Sequence, residues 1–347
     1  MYKISMVSLG CPKNQVDAEM MLATLKAAGF EIGAPEAEAD AIIINTCGFI
    51  EDAKKEAIEN ILEAAEYKKT GKCKVLIVTG CLAERYKNDV TEEIPEVDVC
   101  VGIGADGDIA KIVTDALKGS TENVFADKYD LNLNSDRILG GYPFSTYLKI
   151  GDGCDNCCTY CAIPKIRGRM RSRTIEDCVK EAAKLAAGGV KELTVVAQDT
   201  TAYGEDIYGR PMLAELLREL CKIEGLHWIR TLYTYPDRIT DELLETVAQE
   251  EKLVKYFDIP LQHVNGDILK RMNRKGDYES LSALIDKIRA KVPGVTLRTT
   301  LITGFPGETD EQFCELAQFV KENGLTGSAA LPTLPRRIPR RLLSPTR

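Results

Sequence analysis

The chain has 347 residues, 44% of them hydrophobic, which is enough to bury the cores of two domains. It lacks a run of about 18 apolar residues, and residues 1–10 are too short and polar for a secretory signal, so we predict a cytoplasmic protein that does not enter membranes. Residues 1–140 carry 25 acidic and 15 basic side chains, whereas residues 326–347 carry five basic and no acidic ones. An acidic first half favours a basic partner over a phosphate backbone, although ordinary solubility explains the same charge.

The hydrophobic pattern predicts an α/β protein. Through about residue 118, short β-rich runs alternate with amphipathic stretches, which is typical of a parallel sheet covered by helices. The predicted strands are residues 4–9, 41–45, 75–79 and 97–101, and residues 14–28 are a predicted helix. These elements form a predicted first domain, residues 1–118, followed by a polar, glycine-containing linker at residues 119–141.

A second set of βα units fills residues 142–325. Its predicted strands are residues 147–150, 193–197, 228–233, 256–259 and 297–302, and its predicted helices include residues 175–187 and 212–221. This spacing favours a partial (β/α) barrel with active residues at the carboxyl ends of its strands, and we expect its last strand to be incomplete. Residues 326–347 are rich in proline and arginine, which predicts neither a strand nor a helix, and we expect a disordered tail.

The chain has twelve cysteines but only two histidines. A reducing cytosol disfavours a disulfide framework, and the shortage of histidines favours thiolate-only clusters over a zinc enzyme. Cys154, Cys158 and Cys161 have the spacing C-x3-C-x2-C on a predicted loop. Three thiolates would leave one iron of a 4Fe–4S cluster open to a small molecule, whereas four would close it. Zinc pairs that include Cys157 are less favoured because zinc-ribbon pairs are usually about 15–20 residues apart, and the role of Cys157 stays open.

Three further cysteines, Cys11, Cys47 and Cys81, each follow a predicted strand of the first domain and adjoin glycines. Ligands of open α/β sheets bind at the carboxyl ends of the strands, so the three thiols are predicted to converge there. The alternative is that they are small buried apolar residues. The remaining cysteines lack such positions and are predicted to be structural: Cys73, Cys100, Cys178, Cys221 and Cys314.

The C-x3-C-x2-C segment resembles the signature of the radical S-adenosylmethionine superfamily. That resemblance implies a partial barrel whose open iron binds S-adenosylmethionine, and a one-electron cleavage that yields a carbon radical. In relatives the aromatic residue before the last cysteine, here Tyr160, lies against the cofactor. The resemblance also offers Glu192, Gln198, His263 and Arg298 as cofactor-binding residues, although each could equally be a solvated or hydrogen-bonded strand-end residue.

Both cysteine sets together resemble the methylthiotransferases, over nearly all of residues 2–325. Segments at residues 8–14, 45–50, 197–201, 233–237 and 259–263 look like the RimO branch. This resemblance implies that Cys11, Cys47 and Cys81 hold an auxiliary 4Fe–4S cluster presenting sulfur, and that the β-carbon of an aspartate in a small-subunit ribosomal protein is methylthiolated. It also implies an electron donor such as flavodoxin or ferredoxin, and nucleic acid is not the expected substrate.

Relatives continue beyond residue 325 with another barrel strand and a small β-barrel called TRAM, and neither is apparent in residues 326–347. We expect a truncated or out-of-frame end that impairs substrate docking. Two alternatives to the main interpretation stay open: a methylthiotransferase that modifies isopentenyladenosine in tRNA, and a non-catalytic cluster-binding remnant. The basic run of Arg167, Arg169, Arg171 and Arg173 matches the family pattern, and it either anchors a carboxylate or fixes its loop through salt bridges.

Overall fold

The computed structural model describes residues 1–325 and 327–332, which divide into two compact units. The first holds residues 1–140 and 162–168, and the second holds residues 141–161, 169–325 and 327–332. The short segment 162–168 therefore joins the first unit although the chain on both sides of it belongs to the second. None of the described helices combines the length and apolar content that crossing a bilayer requires.

The first unit is built on a five-stranded parallel sheet with the strand order β2-β1-β3-β4-β5. All residues of β3 and β4 are buried and most are aliphatic, as expected for central parallel strands covered on both faces. Their register runs from Ala41 opposite Val75 to Thr46 opposite Gly80, so the two strands end side by side. The strands are β1 Lys3–Ser8, β2 Glu31–Ile32, β3 Ala41–Thr46, β4 Val75–Gly80 and β5 Val99–Cys100.

Helices cover both faces of this sheet and close two hydrophobic cores. One core packs α1 and α5 against the face that carries Ile43 and Ile77, and the other packs α2 against the face that carries Ile44 and Val78. The helices are α1 Pro12–Ala27, α2 Glu51–Thr70, α3 Cys81–Tyr86, α4 Asp89–Glu93, α5 Ile109–Leu117 and α6 Ile163–Arg167, with short 3₁₀ helices at Glu36–Glu38, Ile103–Asp108 and Lys128–Asp130.

The second unit follows a repeating βα pattern. Two three-stranded parallel sheets have the orders β10-β9-β6 and β11-β12-β13, and a hydrogen bond from Thr234 N to Asp258 O (2.9 Å) links them into an open, partial barrel. The strands are β6 Ser145–Lys149, β7 Gly151–Asp152, β8 Arg171–Ser172, β9 Glu192–Val196, β10 Trp228–Thr231, β11 Tyr256–Asp258, β12 Thr296–Thr303 and β13 Gly327–Pro332.

Amphipathic helices alternate with these strands. α7 begins at the N-cap Thr174, whose hydroxyl accepts a hydrogen bond from Asp177 N, and α12 begins with a capping box between Asp277 and Ser280. The helices are α7 Ile175–Ala187, α8 Glu205–Tyr208, α9 Leu213–Cys221, α10 Asp241–Gln249, α11 Gly266–Arg271, α12 Tyr278–Lys291 and α13 Asp310–Glu322, with a 3₁₀ helix at Pro236–Arg238.

The structure differs from the sequence-based expectation at the end of the barrel. Residues 327–332, predicted to be part of a disordered tail, form strand β13, which pairs with β12 from Arg298 opposite Gly327 to Thr303 opposite Pro332. Backbone pairing along the open side of β12 outweighs the weak strand propensity of this sequence, and a proline is tolerated at the end of an edge strand. The rest of the predicted tail, residues 326 and 333–347, lies outside the described residues.

The predicted linker at residues 119–141 is tied to the first unit. Arg137 forms a buried ion pair with Glu19 of α1 at 2.6 Å, and Ile138 N donates to Glu19 O at 3.1 Å. Both charged side chains are almost completely shielded from solvent. A buried ion pair holds this otherwise irregular segment against a helix, a contact that a polar composition does not reveal.

Candidate functional site

The first unit places three cysteines at the carboxyl edge of its sheet. Cys11 is the N-cap of α1, three residues after β1. Cys47 directly follows β3, and Cys81 directly follows β4 as the first residue of α3. Because β1, β3 and β4 are neighbouring parallel strands, the three residues share one edge, where a ligand of an open α/β sheet would bind.

Two glycines allow the cysteine loops to touch. Gly10 has φ +94°, and a Cβ added there would lie 2.6 Å from the Cβ of Cys47. A Cβ added to Gly48 would lie 2.7 Å from the Cα of Leu82, next to Cys81. A side chain at either position would push these loops apart. The glycines that flank the cysteines in sequence are therefore required for close backbone approach.

A pair of buried asparagines fixes the same loops. Asn14 Nδ2 donates to Leu9 O (2.9 Å) and to Thr46 O (3.0 Å), and Asn45 Nδ2 donates to Asn14 O (2.8 Å). Both asparagines are 1% exposed. These bonds satisfy carbonyl groups that follow β1, end β3 and begin α1, so the amide side chains hold the segments before Cys11 and Cys47 in one arrangement.

Arg167 of α6 lies beside the Cys81 thiol. Its Nε donates to Cys81 Sγ at 3.3 Å, and its Nη2 contacts Asn14 Oδ1 and Asp17 Oδ2, each at 2.9 Å. Ala162 and Ile166 of the same segment pack on Cys81. The guanidinium is 1% exposed, and the Asp17 side chain compensates its charge.

The three thiols have different acidities. Burial raises the pKa of Cys81 to about 11, although the charge of Arg167 opposes the rise. Burial also raises the pKa of Cys47. Burial acts in the same direction on Cys11, but the charges of Lys13 and Arg167 and two backbone N–H groups outweigh it, so the pKa of Cys11 is lowered. Only at Cys11 do nearby cations and backbone donors outweigh burial and favour the thiolate that a metal cluster needs.

The second cysteine set lies on the loop that follows β6 and β7. Asp152 closes the base of this loop: its Oδ1 accepts hydrogen bonds from Gly153 N (2.9 Å) and Gln198 Nε2 (2.7 Å), and its Oδ2 pairs with Lys149 Nζ at 2.9 Å. Lys149 and Asp152 are essentially inaccessible to solvent. Gly153 has φ +77°, which turns the chain away from the sheet toward Cys154.

The far side of the loop rests on the turn after α11. Thr159 N donates to Met272 O (3.1 Å) and Thr159 Oγ1 donates to Arg271 O (3.0 Å). Asn273 Nδ2 donates to Cys157 O at 3.1 Å. These bonds hold the backbone on both sides of Cys158, the second cysteine of the motif.

Arg274 and Tyr235 surround the sulfur of Cys158. The Arg274 guanidinium lies 4.1 Å above the Tyr235 ring, and its Nη1 is 3.9 Å from Cys158 Sγ and 3.4 Å from Tyr160 Oη. The hydroxyl of Tyr235 is 3.8 Å from the same sulfur. A buried cation and a phenol hydroxyl therefore lie next to this sulfur.

Burial raises the pKa of Cys154 to about 12, and the neighbouring thiols Cys161 and Cys158 add to the rise. Cys157 has φ +50° and an exposed side chain, whereas the other three cysteines of the segment are half-buried. The structure therefore separates Cys157 from the motif.

Three of the five predicted cofactor residues lie toward the carboxyl ends of the strands. Gln198 follows β9 and is bonded to Asp152, while burial raises the pKa of Tyr160 next to Arg274. His263 follows β11 and is completely buried. Its Nδ1 accepts from Asn265 N at 3.0 Å and its Nε2 lies 3.5 Å from Glu308, so the histidine is held in one orientation.

Glu192 and Arg298 do not join them. Glu192 is the first residue of β9, at the end of the sheet opposite the cysteine loop, and pairs with Arg230 at 3.2 Å. Arg298 lies inside β12 rather than at its end and pairs with Asp258 at 2.6 Å. Arg298 was expected at a strand end and instead lies near the start of β12, whereas Glu192 lies where it was expected, at the beginning of its strand. Cofactor binding by either residue stays a prediction.

Sequence reasoning did not identify Arg274, Tyr235 or Asn14 as site residues. Tyr235 and Asn14 lie in segments that resemble relatives, so these motifs could have indicated a role in the site. The contacts that the two residues make, however, form only in the folded chain. The sequence around Arg274 contains no motif that indicates a role in the site. Within the basic run, Arg167 pairs with Asp17, and Arg173 pairs with Glu181 at 2.5 Å.

Both donor sets fit an iron–sulfur cluster by their chemistry. Each consists of three cysteines, and soft thiolates are the ligands that such clusters use. Among residues 1–325 and 327–332, no three histidine, cysteine or acidic side chains already surround a position for a single ion. A cluster does not require such a position, because each thiolate binds a different iron.

Comparisons with known proteins cover nearly the whole chain. Residues 148–320 match the Radical SAM superfamily, and residues 3–102 match a family described as Uncharacterized protein family UPF0004. The ribosomal protein uS12 methylthiotransferase RimO of Clostridioides difficile is 50% identical over 93% of this chain and 73% of its own length. The protein of the same name from Lachnoclostridium phytofermentans is 51% identical over 92% of this chain and 73% of its own length.

Solved structures share the fold at low sequence identity. The radical S-adenosylmethionine methyltransferase TsrM of Kitasatospora setae, with cobalamin and a 4Fe–4S cluster bound, aligns with a TM-score of 0.71 at 13% identity. The alignment covers 96% of this chain and 75% of TsrM. This likeness concerns the fold alone, and it agrees with an α/β first unit followed by a partial barrel.

Proposed function

The chain belongs to the RimO-type methylthiotransferases of the radical S-adenosylmethionine superfamily, and from that membership we propose that it transfers a methylthio group to ribosomal protein uS12. The proposed acceptor is the β-carbon of an aspartate. A ribosomal substrate would place the reaction in the cytoplasm. Within the chain, we assign residues 1–118 to sulfur donation and residues 142–325 to radical formation.

The observation that carries the proposal is the presence of two separate triads of thiols in one chain. Cys154, Cys158 and Cys161 would hold one 4Fe–4S cluster, and the other would be held by the first-unit triad, which consists of Cys11, Cys47 and Cys81. With one iron left open in each, the clusters would supply an electron for cleaving S-adenosylmethionine and a sulfur for transfer. An aspartate β-C–H is too weakly acidic for a general base, so removal of a hydrogen atom is the chemically accessible route.

The protein's own residues would keep both sites in place. Asp152 and the turn at residues 271–274 hold the two sides of the second-unit loop, and Arg274 supplies a positive charge beside Cys158. Gln198 and Tyr160 reach the same end of the barrel, where S-adenosylmethionine would bind. The partly shielded loop would limit access of water to the bound cofactor.

Charge supports a basic protein substrate. The first 140 residues carry 25 acidic against 15 basic side chains, and proteins that bind RNA in the ribosome are generally basic. The relatives quoted above are named for uS12 rather than for a tRNA. Both observations favour the ribosomal protein over isopentenyladenosine in tRNA as the substrate. The immediate electron donor is proposed to be a flavodoxin or a ferredoxin.

The test uses the full chain, reconstituted anaerobically with iron and sulfide. Incubation with S-adenosylmethionine, dithionite and purified uS12 should replace one hydrogen of the target aspartate by a methylthio group, detected by mass spectrometry of uS12 peptides. Changing Cys154, Cys158 and Cys161 together to alanine should remove about half of the bound iron and abolish cleavage of S-adenosylmethionine. Cys314→Ala, at an exposed cysteine of α13, is the matched control and should change neither quantity.

Two results would contradict the proposal. A parallel incubation with bulk tRNA that yields a methylthio nucleoside, while uS12 stays unmodified, would favour the tRNA alternative. Iron that disappears entirely from the triple variant of the second unit would leave no cluster on the first-unit triad, and the assignment of two centres would be wrong.

A further inference from the structure

α6 has an unusual place in the chain. Cys161 is the last cysteine of the second-unit triad, and the segment that starts with the next residue, Ala162, belongs to the first unit. Gly168, with φ +77°, ends α6, and a side chain there would collide with the hydroxyl of Tyr129 at 2.8 Å. Lys128 Nζ also donates to Lys165 O at 2.6 Å. The segment is therefore held firmly in the first unit.

Arg167, at the end of α6, places a buried positive charge next to the first-unit triad. The planar guanidinium of Arg167 divides its donors, with Nε directed to Cys81 Sγ (3.3 Å) and Nη2 to Asn14 and Asp17. Asn14 also bonds the carbonyls of Leu9 and Thr46, which precede Cys11 and Cys47. Arg167 thus contacts one thiol directly and is linked to the loops of the other two through a single amide.

We propose that Arg167 is a positioning residue for the auxiliary cluster, orienting Cys81 as a ligand and donating a hydrogen bond to its sulfur. This inference rests on the proposed function, since it requires a cluster on the first-unit triad. A hydrogen bond and a positive charge at a ligand sulfur stabilise the more negative, reduced state of a cluster, and so raise its reduction potential. A lysine keeps the charge but cannot divide its donors as a planar fork does.

The same contacts have a purely structural role as well, because Asp17 is buried and Arg167 compensates its charge. Removing the arginine alone would take away the positive charge that compensates a buried carboxylate. The double change Arg167→Gln with Asp17→Asn keeps the charges balanced and still removes the cation and its bond to Cys81. It therefore separates an effect on the cluster from an effect on folding.

The experiment uses the full chain in which Cys154, Cys158 and Cys161 are alanine, so that only the auxiliary cluster is reconstituted. The midpoint potential of that cluster is measured by a redox titration followed by electron paramagnetic resonance, and iron is determined per chain. The parent is compared with three variants: Arg167→Lys, the double change at Arg167 and Asp17, and Lys165→Gln. Lys165→Gln, at an exposed side chain of the same helix, is the control.

We expect a lower midpoint potential in the charge-balanced double variant, a smaller decrease in Arg167→Lys and no change in Lys165→Gln. A potential in both Arg167 variants equal to that of the control would overturn the role of Arg167 while leaving the cluster itself established. If the double variant binds no cluster, the result for Arg167→Lys tests the proposal instead. A midpoint potential below that of the parent, or a selective loss of auxiliary iron, supports the proposal. A potential equal to that of the parent overturns it. A parent without iron would instead overturn the auxiliary cluster, and this inference with it.

Discussion

Replacing Asp152 by asparagine tests how the second unit holds its cysteine loop. The change preserves the shape of the side chain but removes the charge that compensates Lys149, whose ammonium lies 2.9 Å away and is 1% exposed. Breaking a buried ion pair on one side typically costs about 3–5 kcal/mol, since the remaining buried charge loses its opposite charge. We expect Asp152→Asn to lower the free energy of unfolding of the second unit by about that amount. Combining it with Lys149→Met should restore most of the loss.

Urea unfolding of the apoprotein measures this effect. Trp228, the single tryptophan, lies in β10 of the same sheet as β6, so its fluorescence follows the second unit, and circular dichroism follows the chain as a whole. Glu66→Gln, in an exposed pair with Lys69, is the matched control and should leave the transition unchanged. A cost below about 1 kcal/mol for Asp152→Asn, with no recovery in the double variant, would refute the argument from burial.

Three further predictions concern individual residues. Cys157→Ser should leave iron content and cleavage of S-adenosylmethionine unchanged, because the side chain is exposed and apart from the motif; loss of iron would make it a ligand. Gly10→Ala should reduce iron bound by the first unit, since its Cβ would meet that of Cys47 at 2.6 Å, whereas Gly107→Ala, with open space around it, should not. Burial lowers the pKa of His263 below 6.5, so the unfolded chain binds its proton first as the pH falls, and stability should decrease below about pH 6.5. His263→Gln should remove that part of the decrease in thermal melts, and an unaltered slope would contradict it.

The central strands of the first unit could be predicted from sequence because they are short, wholly buried and rich in branched aliphatic residues. β3 and β4, predicted at residues 41–45 and 75–79, extend one residue further, to Thr46 and Gly80. The cysteines that follow were placed correctly at strand ends, since the edge of a parallel sheet is determined by chain direction alone. β13 was not predicted, because its pairing with β12 depends on backbone groups that are distant in sequence.

The contacts that hold the two cysteine sets were beyond sequence reasoning. Nothing in residues 162–168 indicates that a helix of five residues joins the first unit between two segments of the second. The pairing of Arg274 with Tyr235 likewise joins residues that are distant in sequence and meet only in the folded chain. Motif resemblance identifies which residues matter together, whereas the direction in which each points follows from packing.

The two cysteine sets share one physical device, a buried ion pair adjoining the ligands. Lys149 with Asp152 supports the loop of Cys154, and Arg167 with Asp17 lies against Cys81. Such pairs are a poor means of adding stability, because removing two charges from water costs about as much as their attraction returns, and apolar residues of similar volume often serve as well. The acidic residue of such a pair can also orient the backbone. Asp152, for example, accepts hydrogen bonds from Gly153 N and from Gln198. An apolar pair would fill the same space but would not fix the orientation of the backbone. That orientation matters because a cluster with one open iron depends on the directions of its three thiolates.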